Sequence, residues 1–301
     1  MSPKSAGRRP SGRGGHPPAR RAGNREAPAA RDYSGGEERG RRTPTQSRNS
    51  IGGEQVEGRR AVRELLLAGR RRVREVWIAE GVGESDLVQE ILDLCAESRL
   101  PVRNVPRARL DAMATSDSPQ GILARAEPIP EEDLDDMCKQ QGDVKPFLLA
   151  FDGVTDPHNL GSLIRTGECA GITGIVLPRH RAVHITPTVA KASAGAVEHV
   201  PMTLVAGLPA ALLTCKTAGV WTVGLDMEGD TDIGDLAVAD QPVALVFGAE
   251  GAGLSRLTKQ RCDVLARIPQ YGAVASLNVA AAGAIACFEI ARRRASRVAL
   301  S

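Results

Sequence analysis

Three segments in the second half of this 301-residue chain share one local pattern: a short apolar strand, a loop rich in Gly, Asn or Ser, and the start of a helix. They are residues 151–171 (FDGVTDPHNLGSLIRTGECAG), 245–258 (LVFGAEGAGLSRLT) and 267–293 (RIPQYGAVASLNVAAAGAIACFEIARR). In an α/β sheet, loops that leave the carboxyl ends of strands converge on one edge and form a ligand cleft there. The pattern therefore predicts an α/β domain with one composite site.

The region around these segments alternates strand and helix regularly. Apolar runs predict strands at PFLLAFDGV, GIVLP, VPMTLV, VWTVGLDM, VALVFG and VLARIP. Helices are predicted near 161–170, 188–194, 208–218 and 254–260, with a long last helix over 276–294. Such alternation is typical of a mostly parallel sheet with helices on both faces.

The preceding region predicts a small α/β domain over residues 54–127, followed by a linker over 128–146. GRRAVRELLLAG and SDLVQEILDLCAESRL are amphipathic helices, the second with Leu87, Ile91, Leu94 and Cys95 on one face. Strands are expected at VREVWIAE, LPVRNV and GILARAEP, and a third helix at RARLDAMA. The linker is acidic and proline-containing, and we expect at most one helical turn in it.

Residues 1–53 predict a disordered basic tail. They contain 12 Lys/Arg and four Asp/Glu, a net charge of +8, whereas the rest of the chain carries −5. Without Leu, Ile, Val or Phe before Ile51, the tail cannot bury enough apolar surface to fold. It either solubilises the protein or attracts RNA phosphate.

Composition also limits the compartment and the chemistry. The chain has no apolar run of membrane-spanning length and no secretory h-region, so we expect a cytoplasmic protein. Its six cysteines form no CxxC pair, which argues against a zinc site or a disulfide framework. Two of them, Cys169 and Cys287, lie on predicted helices and are expected to be small buried hydrophobes. No metal site is predicted.

The first segment offers two candidate functional side chains. Asp156-Pro157 starts a turn, and Asn159 could cap the helix that follows. Arg165 lies six residues further on, either as a surface ion pair or as a functional group. His158, beside the proline, is more typical of local structure than of a catalytic base.

The other two segments each place a polar group among small residues. Glu250 stands between glycines directly after a strand, in a loop that matches neither GxGxxG nor a P-loop. Ser276 is expected to cap the last helix, with Asn278 one turn inside it. A buried amide needs partners, so Asn278 either satisfies nearby backbone or faces a ligand.

NLGSLIRT, FGAEGAG and SLNVAAA together resemble the three motifs of the SpoU (TrmH-like) branch of the SPOUT RNA methyltransferases. KASAGAVEHVP (191–201) is similar to the central segment of that family. Residues 54–127 resemble, more weakly, the L30e-like substrate-binding domain that many members carry. The resemblance implies a SPOUT fold over 147–301, with a deep trefoil knot near the carboxyl end and a homodimer.

The resemblance also implies a cofactor and roles for residues. S-adenosylmethionine (SAM) would contact the backbone around Gly248, Ile268 and Leu277. The polar ring at the reacting hydroxyl would consist of Asn159, Arg165, Glu250, Ser276 and Asn278. Because a guanidinium carries only donors and keeps its charge in proteins, we expect Arg165 to orient a phosphate or stabilise an alkoxide rather than act as a free base.

By this resemblance, the expected function is SAM-dependent 2′-O-ribose methylation of RNA, with a guanosine of 23S rRNA as the first choice of substrate. A tRNA substrate is the alternative. A protein that kept the fold and binds RNA without catalysis is a second class. A nucleotide-dependent oxidoreductase is disfavoured because TDPHNLGS, not a glycine fingerprint, follows the domain's first strand.

Overall fold

The computed structural model describes residues 50–83, 85–180, 184–274 and 276–298, with side chains up to Ser296. The predicted disordered tail, residues 1–49, lies outside the described residues. Within the described part of the chain, no helix has the length and apolar character needed to cross a membrane.

A seven-stranded sheet forms the larger half of the molecule, and every neighbouring pair in it is parallel. The strand order is β7-β6-β5-β10-β8-β11-β9. The strands are β5 (Phe147–Asp152), β6 (Gly174–Pro178), β7 (Met202–Val205), β8 (Trp221–Leu225), β9 (Thr231–Asp232), β10 (Val243–Gly248) and β11 (Val264–Arg267). The predicted parallel α/β sheet is thus confirmed, and only the two-residue β9 was not expected.

Helices cover both faces of this sheet, because the central strands are apolar on both sides. In β5, Phe147, Leu149 and Phe151 face one layer, while Leu148 and Ala150 face the other. The helices are α4 (Leu134–Met137), α5 (Pro157–Cys169), α6 (Pro187–Ala192), α7 (Leu208–Thr217), α8 (Arg256–Arg261) and α9 (Val279–Val298). Of these, α5, α6 and α9 pack on the first layer, whereas α4, α7 and α8 pack on the second.

A four-stranded sheet, in the order β1-β4-β2-β3, forms the smaller half. Strand β4 is antiparallel to both of its neighbours, and β2 and β3 are parallel. The elements are β1 (Gln55–Glu57), α1 (Arg59–Ala68), β2 (Val73–Ala79), α2 (Asp86–Glu97), β3 (Val102–Val105), α3 (Arg107–Met113) and β4 (Ile122–Ala126). Helix α4 is the single helical turn expected in the linker.

The apolar cores of the two sheets are continuous through α1, β1 and α6. Ile51, which composition assigns to the tail, is 1% exposed, and Gly52 forms a bridge with Ile185. Residues 50–53 therefore belong to the folded body and not to the predicted tail.

Four local expectations were wrong. Helix α5 begins at Pro157, four residues earlier than predicted, and α9 begins at Val279, three residues later. The buried face of α2 is Val88, Ile91 and Cys95, so Leu87 and Leu94 are only half-buried. Cys169 is exposed near the end of α5, whereas Cys287 is buried as expected. The knot stays a prediction.

Candidate active site

The carboxyl ends of β5 and β10 lie side by side at one edge of the larger sheet. Asp152 and Gly248, the last residues of these strands, are direct partners in the parallel register. The backbone N–H of Ser255 donates to the Asp152 carboxylate at 2.7 Å, which holds the start of α8 above β5. The first two of the three segments therefore meet at this edge.

The loop after β10 folds back on itself and presents Glu250. Ala249 and Gly253 exchange two backbone hydrogen bonds of 3.0 and 2.8 Å, so the chain reverses within four residues. A Cβ at Gly248 would lie 2.1 Å from the Gly253 carbonyl carbon, and Gly251 has a φ of +79°. Glycine is required at both positions, and the result is an exposed carboxylate at the tip of a tight loop.

The start of α5 is fixed by Asp156, not by Asn159. The Asp156 side chain accepts a hydrogen bond of 2.7 Å from the Asn159 backbone N–H, and Pro157 occupies the first helical position. Our expectation of an Asn159 cap is therefore wrong. Because Asp156 satisfies the helix end, the Asn159 side-chain amide is available for other contacts.

The start of α9 is fixed by Asn278, not by Ser276. Asn278 Oδ1 accepts hydrogen bonds from the backbone N–H groups of Ala280 (2.8 Å) and Ala281 (3.4 Å). Ser276 is exposed two residues before this cap, so its predicted capping role is wrong. We expected Asn278 either to satisfy nearby backbone or to face a ligand, and its side-chain oxygen does the first.

The amide nitrogen of Asn278 makes a second kind of contact, which connects all three segments. Asn278 Nδ2 donates to Asn159 Oδ1 at 3.0 Å, and Asn159 Nδ2 donates to Glu250 Oε2 at 2.9 Å. Each group in this chain of hydrogen bonds orients the next, since the oxygen of Asn278 is committed to the helix end. The three residues form a polar cluster, exposed at Glu250 and Asn278 and half-buried at Asn159, on which the start of α5, the β10 loop and the start of α9 converge.

Arg165 is on the same helix as Asn159 but outside the polar cluster. Six residues of α-helix separate the two, a rise of about 9 Å along the axis and a different face. The side chain of Arg165 is exposed and makes no hydrogen bond or ion pair with any described residue. The structure thus joins Asn159, Glu250 and Asn278, but leaves Arg165 and Ser276 unconnected to them.

The three predicted cofactor residues surround the same edge of the sheet. Gly248 ends β10, and the half-buried Ile268 directly follows β11; both strands pair with β8, one on each side. Leu277 adjoins Asn278 and is 40% exposed. Close backbone around the buried Gly248, with the apolar side chains of Ile268 and Leu277, suits an adenosine moiety, so these residues fit SAM.

Close helix packing keeps the site rigid. A Cβ at Gly161 on α5 would lie 2.5 Å from Ala192 Cβ of α6, and one at Gly283 on α9 would lie 2.1 Å from Leu163 Cδ2. Because both positions are glycine, α5 fits closely between α6 and α9. Helix α5 therefore carries Asn159 and Arg165 on a fixed support.

Sequence reasoning missed two supporting carboxylates. Asp156 has a recognisable signal, because an N-cap acid followed by proline at the first helical position is a standard helix start. Asp152 has none, since its partner Ser255 is 103 residues away along the chain.

Comparison with known families gives two matches, the first over the smaller sheet and the second over the larger sheet. Residues 55–132 match the model described as RNA 2′-O ribose methyltransferase substrate binding. Residues 146–288 match the SpoU rRNA Methylase family. A TrmH family protein of Staphylococcus haemolyticus, named as a tRNA/rRNA methyltransferase, is 38% identical over 79% of this chain and 95% of its own length. YacO of Bacillus subtilis, named likewise, is 39% identical over the same shares.

Solved structures agree with these relatives. The SpoU methyltransferase AviRb from Streptomyces viridochromogenes, in complex with AdoMet, has a TM-score of 0.66 at 27% identity, covering 80% of this chain and 90% of its own. An AdoMet-bound rRNA methyltransferase from Sinorhizobium meliloti has a TM-score of 0.66 at 28% identity, covering 79% and 87%. Fold, site and relatives define an RNA methyltransferase of the α/β class. The chain belongs to the SpoU (TrmH-like) methylase family.

Proposed function

We propose that this chain, a SAM-dependent RNA methyltransferase by family, transfers the methyl group to a ribose 2′-hydroxyl. The observation that carries this proposal is the hydrogen-bonded cluster of Asn159, Glu250 and Asn278 at the carboxyl edge of the sheet, with the unpaired Arg165 on the same rigid helix. When bound, SAM supplies an electrophilic methyl group, so the protein has to orient two reactants and manage one proton.

Arg165 is suited to the RNA side of this reaction. Its guanidinium is exposed and has no protein partner among the described residues, so it is free to bind a phosphate beside the reacting ribose. A fixed positive charge there also stabilises the negative charge that develops on the 2′-oxygen as it loses its proton. In this proposal Arg165 orients the RNA and stabilises the charge that develops on the 2′-oxygen. The cluster of Asn159, Glu250 and Asn278 holds the loops beside the cofactor in place.

We favour rRNA over tRNA as the substrate, and within rRNA a guanosine of the 23S molecule. Support comes from the two-domain layout, which the rRNA methyltransferase of Sinorhizobium meliloti shares over 79% of this chain. The curated relatives are named for both RNA types, so a tRNA substrate is the second candidate. With either substrate, we propose that the enzyme works in the cytoplasm.

We also propose that the enzyme works as a homodimer through α9. Ile285 and Phe288 are 43% and 51% exposed, at spacings that put them on one face of α9 with Ala281. Burial of this apolar face against a second copy would cover it and bring the partner close to the site. Phe288→Asp is expected to convert the protein from dimer to monomer in light scattering, and a monomeric wild type would contradict the dimer.

The experiment that tests the activity supplies labelled SAM with unmodified rRNA or tRNA, separately. Arg165→Ala is the test variant, and Arg261→Ala is its control, because Arg261 is also exposed but lies on α8. We expect label in rRNA with wild type and with Arg261→Ala, and a loss of at least 100-fold with Arg165→Ala at unchanged SAM affinity.

Other outcomes would test the substrate, the chemistry and the role of Arg165 separately. Label in tRNA alone would overturn the choice of substrate but keep the chemistry. If the protein binds SAM but transfers no methyl group to purified rRNA, to purified tRNA or to ribosomal assembly precursors, an RNA-binding protein without catalysis is favoured. Full activity of Arg165→Ala would remove that residue from the mechanism.

A further inference from the structure

The loop between α3 and β4, residues 115–121 (TSDSPQG), is anchored at its base by a buried carboxylate. Glu57 is 0% exposed, yet it accepts hydrogen bonds from the backbone N–H groups of Thr115 (2.8 Å) and Ser116 (3.0 Å) and from both of their hydroxyls. Burial by itself would raise the pKa of Glu57, but these hydrogen bonds outweigh it and lower the pKa below its usual range. A charged group buried in this way organises the loop around it.

The tip of the same loop contacts the methylase half of the molecule. Lys191 Nζ, on α6, donates a hydrogen bond of 2.7 Å to the Ser118 carbonyl. Gly58 lies beneath this contact with a φ of +96°, and a Cβ there would lie 3.3 Å from Gln120 Oε1 and 3.7 Å from Lys191 Cγ. Gln120 in turn accepts from the Arg59 backbone N–H at 3.1 Å. The loop is thus held from both halves at once.

Helix α6 passes this contact on to the candidate catalytic helix. Gly161 of α5 packs against α6 so closely that a Cβ would lie 2.9 Å from both Ser193 N and Val189 O, which are backbone atoms. Asn159 and Arg165 flank Gly161 along α5. If the loop moves relative to α6, it therefore also moves relative to Asn159 and Arg165.

We propose that Lys191 is a positioning residue that sets the register between RNA held by the substrate-binding half and the methyl-transfer site. By fixing Ser118, it holds the exposed tip of the loop, including Asp117 and Gln120, at a defined position relative to Arg165. This inference rests on the proposed function. Lys191 acts through the loop and not on the reacting atoms.

The test uses Lys191→Met, which keeps the aliphatic stem and removes the ammonium group. Lys139→Met is the matched control, because Lys139 bonds to Asp136 in the linker and not to the loop. In the free protein, we expect hydrogen exchange in the loop to rise about tenfold in Lys191→Met and to stay unchanged in the control, since the attachment of the loop to α6 is lost.

Kinetics then separate positioning from direct RNA binding. We expect single-turnover methyl transfer to fall about tenfold in Lys191→Met while RNA affinity changes less than twofold, because register and not binding is lost. Lys191→Arg should restore the rate, since a guanidinium also reaches the carbonyl. Unchanged loop exchange together with weaker RNA binding would mean that Lys191 contacts RNA directly, and would overturn the proposal.

Failure of this inference differs from failure of the proposed function. If the wild type transfers no methyl group to RNA, the proposed function fails, and that result is seen without any variant. If the wild type is active and Lys191→Met transfers at the same rate, the positioning role alone is refuted.

Discussion

The buried ion pair of Arg71 and Glu198 joins the two halves of the molecule, and its loss should be costly. The pair is bidentate, at 2.6 and 2.9 Å, with side chains that are 4% and 2% exposed. Arg71 also donates to the carbonyls of Gly53 (3.1 Å) and Glu127 (2.8 Å), so the loop after α1, the segment just before β1 and the residue just after β4 all depend on it.

Removal of one partner leaves the other as an uncompensated buried charge, at a cost of about 3–5 kcal/mol. For a body of this size, about 4 kcal/mol lowers Tm by about 8–16 °C. Replacement of both partners by apolar residues, Arg71→Met with Glu198→Leu, removes the unpaired charge. That double variant should therefore be destabilised by clearly less than the sum of the single changes. The exposed pair of Arg74 and Glu54, 3.4 Å apart, is the control and should cost at most about 1 kcal/mol.

Urea unfolding followed by fluorescence measures these costs in each half separately. Trp77 lies in β2 of the smaller sheet and Trp221 in β8 of the larger one, so single-tryptophan variants report on one half each. We expect coincident transitions in the wild type and a large loss of stability in Glu198→Gln. A cost below about 1 kcal/mol for Glu198→Gln would refute a dry, paired Arg71 in solution.

Three further predictions concern the site and its support. Asn278→Asp keeps the cap of α9 but loses the donor to Asn159, so the free energy of unfolding should change by less than about 1 kcal/mol while methyl transfer falls. Asn278→Ala should lose both the cap and the donor, which lowers the free energy of unfolding by about 1 kcal/mol and also reduces methyl transfer. Gly248→Ala should abolish SAM binding in calorimetry because its Cβ meets backbone, whereas Gly207→Ala, with open space around it, should bind normally. Because the folded-state pKa of Glu57 lies below 4.5, its stabilisation is present above about pH 4.5 and is lost as pH falls through the folded pKa. Glu57→Gln should therefore be less stable at pH 7 and show a flatter stability profile below pH 4.5, and identical profiles would contradict this reasoning.

Local patterns predicted most of the fold. The apolar runs of β5 and β10 indicated strands buried on both faces, and the structure places them at the centre of the sheet. Boundaries were less predictable where two capping residues compete. Ser276 and Asn278 are both good caps, and the contact between Asn278 and Asn159, 119 residues apart, is not encoded near either residue.

Contacts between the two halves could not be predicted from sequence periodicity. Arg71 and Glu198 are 127 residues apart, and each looks like an ordinary surface charge in its own segment. Their burial depends on how α1 and α6 pack, which is a property of the tertiary structure. The family motifs, by contrast, each contribute one of Asn159, Glu250 and Asn278, and the structure joins these three side chains by hydrogen bonds.

The proposed reaction places the methyl group on a ribose oxygen. The most direct measurement digests RNA methylated with labelled SAM to nucleosides and locates the added methyl group by mass spectrometry. We predict a nucleoside whose sugar is heavier by one methyl group and whose base is unchanged, with no such product from Arg165→Ala. A methyl group on the base would contradict the account of this site.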